Sequence, residues 1–101
     1  MSILMEVLKE ELDRLDRQEI AYKNALKDYP RGYISKKTIY GRVYHYLQYK
    51  ENGRVVGKYI SAANLPALEA QLQKKKQVEA SLRRVKADQK KLRKILGVED
   101  V

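Results

Sequence analysis

The chain has 101 residues, a formal net charge of +9 and no cysteine. That length bounds it to one domain with a modest core, and the missing thiols exclude disulfides and thiolate metal centres. At 44% apolar and 35% charged residues it is too apolar for a disordered chain, so a folded protein with charged helix faces is expected.

The sequence pI of about 9.8 points to an anionic partner, with nucleic acid ahead of a membrane surface. The plainer reading is that Lys and Arg keep a helical protein in solution. The N-terminal MSILMEVLKEEL turns to Glu and Lys within a few residues, so no secretory signal is expected. No run approaches the ~18 apolar residues of a membrane span. A cytoplasmic protein is the expectation.

A first helix is predicted over residues 3–28. Ser2 is its candidate cap and Glu6, Glu10 and Glu11 sit near its positive end. Met5, Leu8, Leu12, Leu15, Tyr22, Leu26 and Tyr29 recur at three- and four-residue steps, a heptad seam broken at Glu19. Pro30 and Gly32 end it.

Residues 33–60 read as a three-stranded antiparallel meander, and seven of the eight tyrosines lie between Tyr29 and Tyr59. The strands run about 33–39, 42–50 and 54–60. Tyr40-Gly41 is one turn candidate. Asn52-Gly53 is the other, and it carries a strong type I′ hairpin signal because both central positions need positive φ. A two-residue loop there sets Glu51 against Arg54, Tyr49 against Val56 and Tyr46 against Tyr59. Alternation then divides the side chains. Ile34, Val43, His45, Leu47, Tyr49, Val56 and Ile60 fall on one face, expected to sit on helices. Tyr33, Ser35, Lys37, Tyr44, Tyr46, Gln48, Lys50, Val55, Gly57 and Tyr59 fall on the other.

A long second helix is predicted over residues 62–96, with Asn64 or Ser61 as cap, Pro66 in the first turn and Gly97 as stop. Its seam is Leu68, Val78, Leu82, Val85, Leu92 and Leu96, with Gln71, Lys75 and Gln89 at intervening positions. The fold class expected is α+β: helix, meander, long helix, with the helices packed as an antiparallel coiled-coil hairpin. Apolar surface left by so thin a pair predicts a homodimer.

Two constellations could bind. Tyr33, Lys37, Tyr44, Tyr46, Lys50 and Tyr59 interleave rings and positive charge, which suits stacking on bases and contact with phosphates of DNA or RNA. The plainer alternative is cross-strand tyrosines steadying a small sheet. Lys74, Lys75 and Lys76 would extend the basic surface, and Arg83 to Lys94 continue it along the helix. Against that, Glu6, Glu10, Glu11, Asp13 and Asp16 on the first helix could neutralise the second. His45, the only histidine, has no Cys or second His to complete a metal site or a nucleophile–base pair. No cofactor or enzyme activity is expected, and Gly53 and Gly57 read as structural.

The central segment resembles a small bacterial and phage domain of unknown function. The resemblance rests on Gly32-Tyr33-Ile34-Ser35-Lys36, then Gly41-x-x-Tyr44-x-Tyr46-Leu47-x-Tyr49-Lys50, then Gly53-Arg54-Val55-x-x-Lys58-Tyr59-Ile60, with a charged helix following. It implies the meander and leaves the function open. Some members carry a cysteine cluster that this chain lacks. A more distant resemblance to arm-type DNA-binding domains of phage integrases implies a sheet that meets DNA. The functional expectation is a non-enzymatic nucleic-acid-binding module. The alternative is a coiled-coil assembly scaffold of phage or mobile-element origin.

Overall fold

Proline and glycine punctuate the chain where its elements change. The computed structural model describes residues 2–97. In chain order they form α1 (Ile3–Leu26), β1 (Tyr33–Ile39), β2 (Arg42–Glu51), β3 (Arg54–Ile60) and α2 (Leu65–Leu96). This is an α+β protein. The chain divides into two compact units. One is helical, made by the chain up to Asp28 and from Lys76 onward. The other runs Tyr29–Lys75 and holds the sheet with the first turns of α2.

α1 stops two residues short of the predicted end. Lys27 keeps a helical φ of −66° as cap, its N–H reaching back to Asn24 at 3.2 Å, and Asp28 N–H reaches Ala25 at 3.1 Å. Pro30 forbids a further turn. α2 starts three residues later than predicted. The backbone carbonyl of Ser61 accepts from Asn64 and Leu65, and its Oγ accepts from Asn64 N–H at 3.3 Å. A tight turn therefore precedes Pro66, which suits a helix's opening turn because it has no N–H to satisfy. The 32 residues of α2 give it a length of about 48 Å.

In the helical unit the seam buries Leu15 (3% exposed) and Val85 (5%). Leu15 shares a hollow with Gln18, Tyr22, Ser81 and Val85. Gln89 of α2 is also buried, at 2% exposed. Its Nε2 donates to Asp16 Oδ1 at 2.8 Å and to Glu19 Oε1 at 3.0 Å. A buried amide must be satisfied, and two carboxylates on α1 do so. Asp16 also accepts from Arg93 at 3.1 Å. Glu19 is held below the usual glutamate range, first by its bond with Lys23 and then by Gln89. The other acids are spent differently. Glu11 pairs with Arg14 of its own helix. Among the described residues, Arg93 is the one basic side chain between Arg83 and Lys94 that reaches an acid on α1.

In the sheet unit the strand order is β1-β2-β3, antiparallel throughout. The register follows the two turns. Asn52 (φ 51°) and Gly53 (φ 79°) close β2 onto β3 with Glu51 opposite Arg54, Tyr49 opposite Val56 and Tyr46 opposite Tyr59. Tyr40 (φ 50°) and Gly41 (φ 77°) close β1 onto β2. Positive φ is natural for Asn and Gly, whereas Tyr40 takes it at a steric cost. Gly32 (φ 98°) brings the chain into β1 so close to β2 that a Cβ would lie 2.1 Å from the Gln48 carbonyl oxygen.

Candidate nucleic-acid interface

The two faces of the sheet have different fates. On the aliphatic face Ile60 is buried (8% exposed), and Ile34, His45, Leu47, Tyr49 and Val56 are half-buried. The opening turns of α2 lie on this side. Leu47 and Ile60 share a hollow of about 380 Å³ with Ala67, Leu68 and Gln71. Arg31 stands over the Tyr49 ring at 5.8 Å, a cation–π contact that also shields one end of the face.

The tyrosine face is the side of the sheet opposite Leu47 and His45. Cross-strand pairing stacks its side chains in rows: Lys37 beside Tyr44, then Ser35–Tyr46–Tyr59, then Tyr33–Gln48–Gly57, then Lys50 beside Val55. Tyr59 is the hub, with its ring centroid 6.4 Å from that of Tyr44 and 6.0 Å from that of Tyr46. Tilted and edge-on rings at these distances attract, the positive edge of one meeting the negative face of the next. Lys37 Nζ lies 5.0 Å from the Tyr46 centroid. Tyr33 donates its hydroxyl to Gln48 Oε1 at 2.8 Å.

This contact set keeps the rings outside. Tyr59 is 57% exposed and Tyr33 60%. Tyr44 and Tyr46 are half-buried against their neighbours, and Lys37 and Lys50 are exposed. Six of the residues singled out from the sequence therefore share one surface. Arg42, with the same parity as Tyr44 and Tyr46, belongs to it too. The same even-number spacing on β2 could have found it, as it could have promoted Gln48 from bystander to floor of the surface. Among the described strand residues this face carries Lys37, Arg42 and Lys50 and no carboxylate.

Lys74 and Lys75 do not extend that face. They stand on α2 and not on the strands, and half-buried Lys75 donates to the Pro30 carbonyl at 3.0 Å. Lys74 and Lys76 are exposed, and Lys76 belongs to the helical unit. His45 faces the aliphatic side, opposite Ile60 and Lys36. Among the described residues no group of three or more His, Cys, Asp or Glu could hold a metal ion. No described helix is long and apolar enough to cross a membrane.

Charge is divided unevenly. The sheet unit has nine basic side chains (Arg31, Lys36, Lys37, Arg42, Lys50, Arg54, Lys58, Lys74, Lys75) and two acidic ones (Glu51, Glu69), so it carries +7 of the chain's +9. The acids of the chain are concentrated on the helices.

These features define a small α+β protein whose sheet presents a basic, aromatic face. The chain belongs to the DUF6788 family, a domain of unknown function, whose model matches residues 5–70. The match spans nearly all of α1, the whole meander and the opening turns of α2. It carries neither a phage origin nor a kinship with integrase arm domains. No curated protein and no solved structure matches the chain.

Proposed function

We propose that this protein is a small non-enzymatic module that binds nucleic acid through the tyrosine face of its sheet. The observation that carries this reading is the sheet surface of Tyr33, Tyr44, Tyr46 and Tyr59 with Lys37, Arg42 and Lys50 and no carboxylate on that face of the strands. A sheet steadied only for its own sake would not need +7 of surrounding charge. Rings stack on bases of any identity and the cations meet phosphates. Affinity should fall with salt, at a log–log slope of roughly −2 if Lys37, Arg42 and Lys50 each neutralise one phosphate of a single strand. Lys74, exposed on α2, adds a further positive charge to the sheet unit. This activity belongs in the cytoplasm.

The test is fluorescence anisotropy with mixed DNA and RNA across a salt series. The double variant Tyr44→Ala, Tyr46→Ala should lose affinity by roughly 1–3 kcal/mol per stacked base. Lys37→Ala with Lys50→Ala should flatten the salt slope to roughly −0.7. A folded wild-type sample that binds nothing at low salt removes the proposal.

A second reading has its own support. In the helical unit Ile3 (79% exposed), Leu4 (65%), Val7 (52%) and Ile95 (62%) stand in solvent. Asp16–Arg93 and Gln89–Glu19 fit an antiparallel coiled coil, and these apolar side chains suit a second copy of the chain. On this reading the protein is an assembly scaffold. Light scattering over a concentration series decides it: a strict monomer at every concentration ends the scaffold reading.

A further inference from the structure

Four of the five glycines have a backbone reason to be glycine. Gly32, Gly41, Gly53 and Gly97 take φ values of 98°, 77°, 79° and 74°. Gly57 does not. It lies inside β3 at a φ outside the positive region, and a Cβ there would meet nothing within 4 Å. Glycine in a strand interior gives up packing and loses more chain entropy than any other residue. Any β-branched residue would serve the strand better, and nothing in the described structure requires bare backbone at this position.

Its position says what that is. Gly57 faces Gln48, which faces Tyr33, and all three lie on the tyrosine face. Tyr59 and Val55 flank Gly57 on the same side of β3. Beside them is an open hollow of about 240 Å³ lined by Tyr33, Gln48, Lys50 and Val55 among others. Gln48 spends its Oε1 on Tyr33, and among the described residues its Nε2 has no partner. The result is an uncovered stretch of backbone at Gly57, with Tyr59 and Val55 next on its own strand, Gln48 on the adjoining strand and a hollow reaching Lys50 beside it.

We propose that Gly57 is the floor of a slot for one unpaired nucleobase, and hence that the ligand is single-stranded nucleic acid. This rests on the reading that the tyrosine face binds nucleic acid. The base lies on the Gly57 backbone against Tyr59. An acceptor on its edge takes a hydrogen bond from Gln48 Nε2, and Lys50 meets the adjoining phosphate. In a duplex both faces of a base are already covered by its neighbours, so paired strands cannot enter.

The experiment compares wild type, Gly57→Ala, Gly57→Thr and Tyr59→Ala. It measures binding to labelled oligo-dT, oligo-U and a DNA duplex by anisotropy, and melting by circular dichroism. Gly57→Thr should lose about tenfold or more in single-strand affinity. Its melting temperature should hold or rise, and its salt slope should not change because the cations remain. A merely structural glycine would move stability and affinity together. If Thr impairs folding, Gly57→Ala carries the comparison with a several-fold loss. Preference for oligo-dT or oligo-U separates a DNA from an RNA strand, and binding of either supports the slot. Wild-type affinity in both folded Gly57 variants, with binding lost in Tyr59→Ala, overturns the slot and leaves nucleic-acid binding standing. Equal affinity for duplex and single strand also overturns it. No binding by wild type removes both.

Discussion

Replacing Gly32 by alanine should cost the sheet unit most of its stability. Two penalties combine. A φ of 98° is a backbone state that L side chains rarely adopt, and holding one there costs about 1–3 kcal/mol. The new Cβ would also lie 2.1 Å from the Gln48 carbonyl oxygen and 2.9 Å from Tyr49 Cβ. The first of those atoms belongs to the central strand and cannot swing aside. β1 must back away by about 1 Å, loosening one or two ladder hydrogen bonds near Tyr33 and Gln48, each worth about 1 kcal/mol. The total is about 2–5 kcal/mol. A unit of 47 residues (Tyr29–Lys75) has about 2–7 kcal/mol to lose.

The assay uses an accident of composition. There is no Trp or Phe, and seven of the eight tyrosines lie in the sheet unit. Near-ultraviolet circular dichroism therefore reports the sheet, while ellipticity at the helical band reports α1 and α2. In Gly32→Ala the urea midpoint of the tyrosine signal should collapse while the helical signal keeps its amplitude. Gly41→Ala is the control. Its φ is 77° but a Cβ there meets nothing within 4 Å, so only the conformational penalty of about 1–2 kcal/mol remains. A Gly32→Ala midpoint equal to that of Gly41→Ala would refute the clash argument.

Tyr40→Asn should raise sheet stability by about 0.5–1 kcal/mol in the same urea assay, because it relieves a fully exposed tyrosine of positive φ. Gln89→Ala should cost the helical unit about 1–2 kcal/mol, since it deletes a buried donor to two carboxylates; the helical band in urea reads it. Glu19 has a lowered folded pKa, so its contribution is whole above the ordinary glutamate value of about 4.3 and fades as pH falls through the lower folded value. Melting monitored at the helical band should stay level from neutrality to that point and drop below it, and Glu19→Gln should soften the drop.

Sequence pattern carried the sheet furthest. Asn52-Gly53 specified a turn of known length, turn length set register, and register set which rings share a face. Tyr40-Gly41 gave a weaker signal because tyrosine is a poor residue for positive φ, yet the turn forms there. Helix ends were less legible. Lys27 keeps helical dihedrals as the cap of α1, and three turn residues intervene before α2. Propensity does not distinguish such residues from helix. Contacts between distant segments were least legible. Polar Gln89 stood out as an exception in the seam, but nothing in its spacing named Asp16 and Glu19 as partners. Lys75 stood at a seam position too, but nothing in its spacing named the Pro30 carbonyl as its partner. Gly57 looked like an ordinary punctuation glycine until its φ and the empty space around it excluded that role.

A three-stranded sheet with β2 in the middle leaves β1 and β3 each with an outer edge. Such edges invite fibril growth when they are long, flat and apolar. Here Lys36 and Lys37 guard one and Arg54 and Lys58 the other, so like charges oppose edge-to-edge pairing of one sheet with the next. Acetylation of those lysines would remove part of that repulsion, and a preparation that stays clear at neutral pH would begin to aggregate.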